Sequence, residues 1–195
     1  QAVPDLVTEK GAFSAHLVRA GIHFFLRPKV RQQLEKEIRA QFQAFQNTGL
    51  LLDHVNSQHH MHLHPTVLGL ILKVGREYGM RAMRLPYEPR LPSWRASRKA
   101  LVRKLMAWLC LLPWLTLLKN RLREADLRCN NFIFGLNDSG DIHLDLVLRF
   151  LRHLPEGITE IYFHPASRFC PELKRTQKKY RYLEEFSALT SPALR

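Results

Sequence analysis

The chain has 195 residues, 46% of them hydrophobic and 10% aromatic, which is enough to bury a full core and excludes an intrinsically disordered segment. Thirty Lys and Arg against 17 acids give a formal charge of +13 and a pI near 10.2, as expected of a protein with an anionic partner or with solvated basic helix faces. Three cysteines without paired spacing argue against a disulfide framework or a zinc ribbon, and no apolar run reaches the roughly 20 residues that span a bilayer.

Residues 1 to 11 carry little pattern and are expected to be an exposed lead-in. Pro28 to Phe45 forms the first clear helix, with Val30, Leu34, Ile38, Phe42 and Phe45 on one apolar stripe and Pro28 in the first turn. Gly49 stops it. The chain then enters DHVNSQHHMHLHP, Asp53 to Pro65, where five of the ten histidines fall within eleven residues. Imidazole is both a common metal ligand and a general acid or base near neutral pH, so this run is the first candidate for chemistry. Leu51 to His60 reads as a strand after the apolar approach of Leu50 to Leu52. Alternation then places His54, Asn56, Gln58, His60 and His62 on one face, and Val55, Ser57, His59 and Met61 on the other. Histidines satisfied structurally, or a patch that picks up metal adventitiously, are the plainer alternative.

Pro65 opens a second helix, ended by Gly79, and Met80 to Leu85 reads as a short strand stopped by Pro86. Pro89 to about Arg128 reads as a helical segment broken at Pro113. Within it, Leu105 to Leu118 is Trp- and Leu-rich and is flanked by Lys99, Arg103, Lys104, Lys119 and Arg121. It is too short to span a membrane but could rest on one. Asn131 to Leu136 is expected as a third strand and His143 to Leu154 as an amphipathic helix. Ile158 to Phe163 is expected as a fourth strand, running into His164 and Pro165, and Tyr180 to Leu189 as a last helix. Helices alternating with strands imply a parallel α/β architecture, with the site at the carboxyl ends of the strands. On that expectation the His60 and His62 end and the Arg84 to Glu88 end meet on one face. Four strands are too few to close an eight-stranded barrel.

Several separated motifs carry a resemblance: DHVNSQHHMHLHP, EYGMRAMRLPYEP, the FIFG of Phe132 to Gly135, GITEIYFHPA from Gly157 to Ala166, and EEFSALTSPALR at the end. In order and spacing they resemble the YdjC-like carbohydrate deacetylases, most closely the branch associated with hopanoid biosynthesis, HpnK. The resemblance runs through nearly the whole chain. It implies a single partial deacetylase domain over 1–195, an incomplete (β/α) barrel lacking its first strands and its last. It also implies a hydrolase that removes N-acetyl groups from an amino sugar or glycolipid with a divalent metal, magnesium or zinc. The family opens with a strand that ends in paired aspartates and a second strand that ends in a Gly-x-His motif; neither strand is read here, so the chain is expected to begin after both, and Gln1 in place of methionine agrees.

Residue by residue, the resemblance assigns metal binding to the positions of Gln58, His60 and His62, catalysis as general acid to His164, and substrate binding to Arg84 and Glu88. Gln58 departs from the pattern, because the family carries a metal-binding histidine there and a neutral amide is a much poorer ligand for zinc. A non-catalytic sugar- or lipid-binding relative that has lost the metal is therefore the competing expectation. The expected location is cytoplasmic, with peripheral contact at the inner membrane face left open. Nucleic acid is not an expected partner, since the basic residues are not interleaved with aromatics on a strand platform.

Overall fold

Pro28 pre-sets the backbone of a first helical turn, and the four-residue spacing of Val30, Leu34, Ile38 and Phe42 puts all four on one side of the helix. The computed structural model shows this helix and buries those four side chains. It describes every residue except 1, 2, 10, 14, 15, 100, 172, 174–176, 178 and 195, and only the backbone of 103. In chain order the helices are α1 (Leu17–Leu26), α2 (Pro28–Gln46), α3 (Pro65–Glu77), α4 (Arg90–Ser97), α5 (Leu101–Glu124), α6 (Leu144–Arg152) and α7 (Tyr182–Leu189). The strands are β1 (Phe132–Phe134) and β2 (Thr159–Ile161), and 3-10 turns occupy Gln58–Leu63 and Pro192–Leu194. The architecture is mixed α/β with parallel strand pairing.

The residues fall into two compact units, 1–84 with 116–129 and 85–115 with 130–195. In the first, α2 packs on α3 through the stripe above and Val67, Leu68, Leu70, Ile71 and Val74. Phe42 stacks on Tyr78 with ring centroids 5.4 Å apart, and Lys73 reaches Glu35 at 2.7 Å across the two helices. Beside them, Val55 pairs with Met83 and Ala82 with Arg128, both in parallel, so the extended chain at 81–84 lies between two neighbours. The intervening helices are the connections that parallel pairing requires.

In the second unit β1 and β2 pair in parallel in the register Phe132 to Thr159 and Phe134 to Ile161, with α6 as the crossover. Phe134, Ile142, Leu146, Val147, Phe150, Ala96 and Ala188 form its core, and the Phe134 and Phe150 rings lie 4.7 Å apart. His143 caps α6, its Nδ1 accepting the N–H of Leu146 at 3.3 Å.

The structure corrects several sequence expectations. Leu51 to His60 is not a strand: Val55 makes a single bridge, and the chain turns into the 3-10 segment from Gln58. Met80 to Leu85 forms bridges at Ala82 and Met83 rather than a strand. Pro113 does not break α5, because proline removes one intrahelical bond and the good helix formers on both sides keep the remainder. The lead-in is partly packed, with Leu6 buried and Val7 bridged to Phe13. Helix α1 was not anticipated at all. No helix among the described residues is long and apolar enough to cross a membrane.

Candidate functional site

The histidine run folds around Ser57. Its Oγ accepts the backbone N–H of His62 at 2.8 Å and lies 2.9 Å from His62 Nδ1. A hydroxyl that satisfies the backbone in this way competes with a strand ladder, and it closes the turn. His59 and His60 pay for that closure with left-handed backbone, φ 51° and 54°. Side chains in left-handed geometry do not alternate, so the two-faced reading of Gln58, His59 and His60 fails with the strand.

The turn nevertheless brings His60 and His62 together, with ring centroids 5.8 Å apart at an interplanar angle of 74°. His62 is fully buried, and its Nε2 has no hydrogen-bond partner of standard geometry among the described residues. Burial holds its pKa down at about 4, the neighbouring His60 and the Arg84 charge pushing the same way while the Arg84 backbone opposes them. His62 is thus a neutral imidazole at physiological pH. With its proton on Nδ1 donated to Ser57, it would present the Nε2 lone pair, the arrangement metal-ligating histidines use. Gln58 is exposed. Arg84 is half-buried, and its N–H donates to the Val55 carbonyl at 3.0 Å beside this turn.

Two imidazoles do not complete a metal site. No group of three or more His, Cys, Asp or Glu suited to an ion occurs among the described residues. Catalytic zinc sites use three protein ligands, and magnesium favours carboxylate oxygens over imidazole. The orphaned Nε2 fits a ligand role, yet the described donor set by itself does not fit the ion, and no chemical step is derived through one.

In the second unit His164 follows β2, as expected, and Pro165 restrains the backbone after it. Its ring meets Tyr180 and Tyr162 edge-on, at centroid distances of 4.9 Å and 5.5 Å. Tyr180 is fixed through its hydroxyl, 2.8 Å from Ser139 Oγ, and by Gly140, where φ is +79° and an added Cβ would fall 2.1 Å from the Tyr180 ring. The backbone of His164 is held by Glu185 of α7, a fully buried carboxylate that accepts the His164 N–H at 2.5 Å and the Ile142 N–H at 3.3 Å. Neither Tyr180 nor Glu185 was singled out from sequence. The usable signal was the small Ala188 one turn after Glu185, which marks the side of α7 that packs closely.

Glu88 is buried, and both its oxygens are engaged: the Ser93 hydroxyl donates to Oε1 and the Asn137 N–H to Oε2 at 2.8 Å. Burial raises its pKa above the usual carboxylate range, while these two hydrogen bonds and the Lys104 charge pull it back. Lys104 was expected on the surface. Instead it is buried and donates to Asp138 at 2.8 Å, Ser97 at 2.7 Å and Ser93 at 2.9 Å. A small cavity lies against this network, lined by Glu88, Lys104, Trp108, Leu115 and Asn137 among others. Arg90 stacks 3.9 Å over the Trp108 ring.

Comparison with known proteins adds the following. The family model described as YdjC-like protein matches residues 1–195. A carbohydrate deacetylase of Geobacillus stearothermophilus is 28% identical over 196 aligned residues, covering 98% of this chain and 62% of the relative. One of Brevibacillus brevis is 38% identical over 81 residues, 40% of this chain and 29% of the relative. One of Thermoanaerobacter pseudethanolicus is 24% identical over 167 residues, 85% and 53% respectively. The chain thus spans less than two thirds of the length of each of these relatives. No solved structure matches.

Proposed function

The chain belongs to the YdjC-like protein family, and from that premise we propose that it supplies much of a carbohydrate deacetylase, which hydrolyses the N-acetyl group of an amino sugar. The observation that carries this reading is the alignment of 98% of the chain with a carbohydrate deacetylase. The (β/α) barrel, a hopanoid-linked or other glycolipid substrate, and the choice of magnesium or zinc rest on the quoted sequence motifs and are finer parts of the same proposal.

In this reading His164 is the general acid that protonates the leaving amine. Its ring is oriented by two tyrosines and its backbone by a buried carboxylate, and a preorganised proton donor of this kind is worth roughly 10²- to 10⁴-fold in rate. Arg84 orients a sugar hydroxyl or carboxylate through its planar guanidinium. Glu88 lines the small cavity beside Lys104 and already accepts from Ser93 and the Asn137 backbone, which fixes its carboxylate for the substrate-binding role proposed for it. His60 and His62 are the residues of this chain that would contribute ligands to a divalent ion, and on their own they do not complete a site for one.

Acetate release from N-acetylglucosamine oligosaccharides by the full-length protein tests this. His164→Ala is expected to lower kcat at least 100-fold. Turnover unchanged by that substitution, or none by the intact protein, would sink the assignment. The exposed amide of Gln58, where the family carries a histidine, favours a second reading, a sugar-binding relative without turnover. Calorimetric binding of the same oligosaccharides with no acetate released would support that reading instead.

A further inference from the structure

From residue 89 to residue 123 the sequence carries nine Lys and Arg and no Asp or Glu. The first part of α5 lies within this stretch and divides sharply by face. Lys104 and Leu115 point into the second unit, and Trp108 and Leu111 line the cavity there. On the other side Val102, Leu105, Met106, Leu109, Leu112 and Trp114 are each more than a third exposed, Val102 by 74%. At 100° per residue the first five of these fall within one arc of the helix. Arg95, Arg98 and Lys99 stand exposed just before that arc, Lys99 within 3.6 Å of Asp141. The Arg103 side chain lies outside the described residues.

We propose that this face of α5 docks on an anionic lipid bilayer, lying in the interface plane rather than crossing it. The stretch from Leu101 to Trp114 is about 21 Å long at 1.5 Å per residue, against a hydrocarbon core of about 30 Å. Long aliphatic side chains with a tryptophan at one end, bordered by cations, are the composition of an interfacial helix. Charge selects the occupant. A second copy of the chain would bring the same acid-free basic stretch to the contact and be repelled, whereas lipid headgroups supply the opposite sign. Nucleic acid would match the charge but leave the leucines uncovered. The inference is independent of the deacetylase reading.

The test is co-sedimentation of the full-length protein with vesicles of phosphatidylcholine alone or with one third phosphatidylglycerol, at about 0.1 M salt. Binding at least tenfold tighter to the anionic vesicles is expected. The Leu105→Glu, Leu109→Glu double variant should lose at least tenfold in binding to them. Both positions are exposed, so the thermal unfolding midpoint should be unchanged, which separates lost docking from lost fold. Arg95→Gln with Arg98→Gln should weaken binding to anionic vesicles only, and Leu183→Glu, on exposed α7 surface, should change nothing. Failure of the folded protein to bind anionic vesicles would overturn the proposal, as would full binding by the Leu105, Leu109 double variant. A concentration-dependent dimer abolished by that variant without vesicle binding would assign the face to a second copy. Salt-sensitive retention on DNA without vesicle binding would assign it to nucleic acid.

Discussion

The carboxylate of Glu185 accepts the backbone N–H of His164 at 2.5 Å, so a residue of α7 fixes where the chain leaves β2 and where the imidazole starts. The same carboxylate takes the Ile142 N–H, tying the entry of α6 to the exit of β2. Glu185→Ala would leave two buried donors unpaired, at about 1–3 kcal/mol each. Glu185→Gln keeps one accepting oxygen but turns an NH2 donor toward the other N–H, so it should cost at least half as much. Urea unfolding of the two variants checks this; a loss below about 0.5 kcal/mol for the alanine variant would show that the donors find other partners.

Lys104 and Asp138 form a buried pair, with side chains 1% and 9% exposed, and the seryl hydroxyls of Ser93 and Ser97 complete the lysine's shell. Lys104→Met strands the aspartate and should cost about 3–5 kcal/mol, because an unpaired charge in that setting loses far more than the pair gained on forming. Adding Asp138→Asn removes the stranded charge, and the double variant should be more stable than Lys104→Met alone. Additive losses in the double-mutant cycle would show that the two side chains are not coupled.

His62 makes stability depend on pH in a defined direction. Its pKa is about 4 in the folded protein and 6.5 in the unfolded chain, so between these values the unfolded state binds more protons. Its contribution is fully present above pH 6.5 and is lost as pH falls toward 4. Between pH 7.5 and 5 the loss amounts to about 2 kcal/mol by linkage. His62→Asn, which can still reach Ser57, should flatten that segment of the curve. Parallel urea titrations with a chelator present, compared at the two pH values, measure the difference. Equal losses in both proteins would place the proton elsewhere.

Helices α2, α3 and α6 were legible because each buries a stripe at 3.6-residue spacing, and α2 and α3 begin at Pro28 and Pro65, signals that sequence carries locally. The strands β1 and β2 were legible in position but shorter than expected. Lys104 was misread because the residues that neutralise it, Ser93, Ser97 and Asp138, come from other elements, and no local pattern announces a partner 34 residues away. In α7 the apolar Leu183, Phe186 and Leu189 are exposed while Glu185 is buried, the reverse of what an apolar stripe implies. Polarity alone had to fail there, since two backbone donors make the carboxylate the better core residue. The histidine run failed for a related reason: residue types report which side chains cluster, and His60 with His62 do, but not the sign of φ.

That sign can be tested at His59, which is exposed and held at φ 51°. A residue with a Cβ in left-handed backbone costs about 1–2 kcal/mol relative to the right-handed basin, and a β-branched one suffers most. Glycine relieves that cost and gives back part of it through the greater freedom of the unfolded chain. His59→Gly should therefore stabilise the protein by roughly 0.5 kcal/mol, and His59→Val should destabilise it by more than 1 kcal/mol. The strand reading demands the opposite order, because valine favours extended pleated backbone and glycine weakens it. Urea unfolding midpoints of the two variants decide between them. Should the valine variant prove the more stable, His59 lies in extended backbone, and the Ser57 turn that unites His60 with His62 must be abandoned.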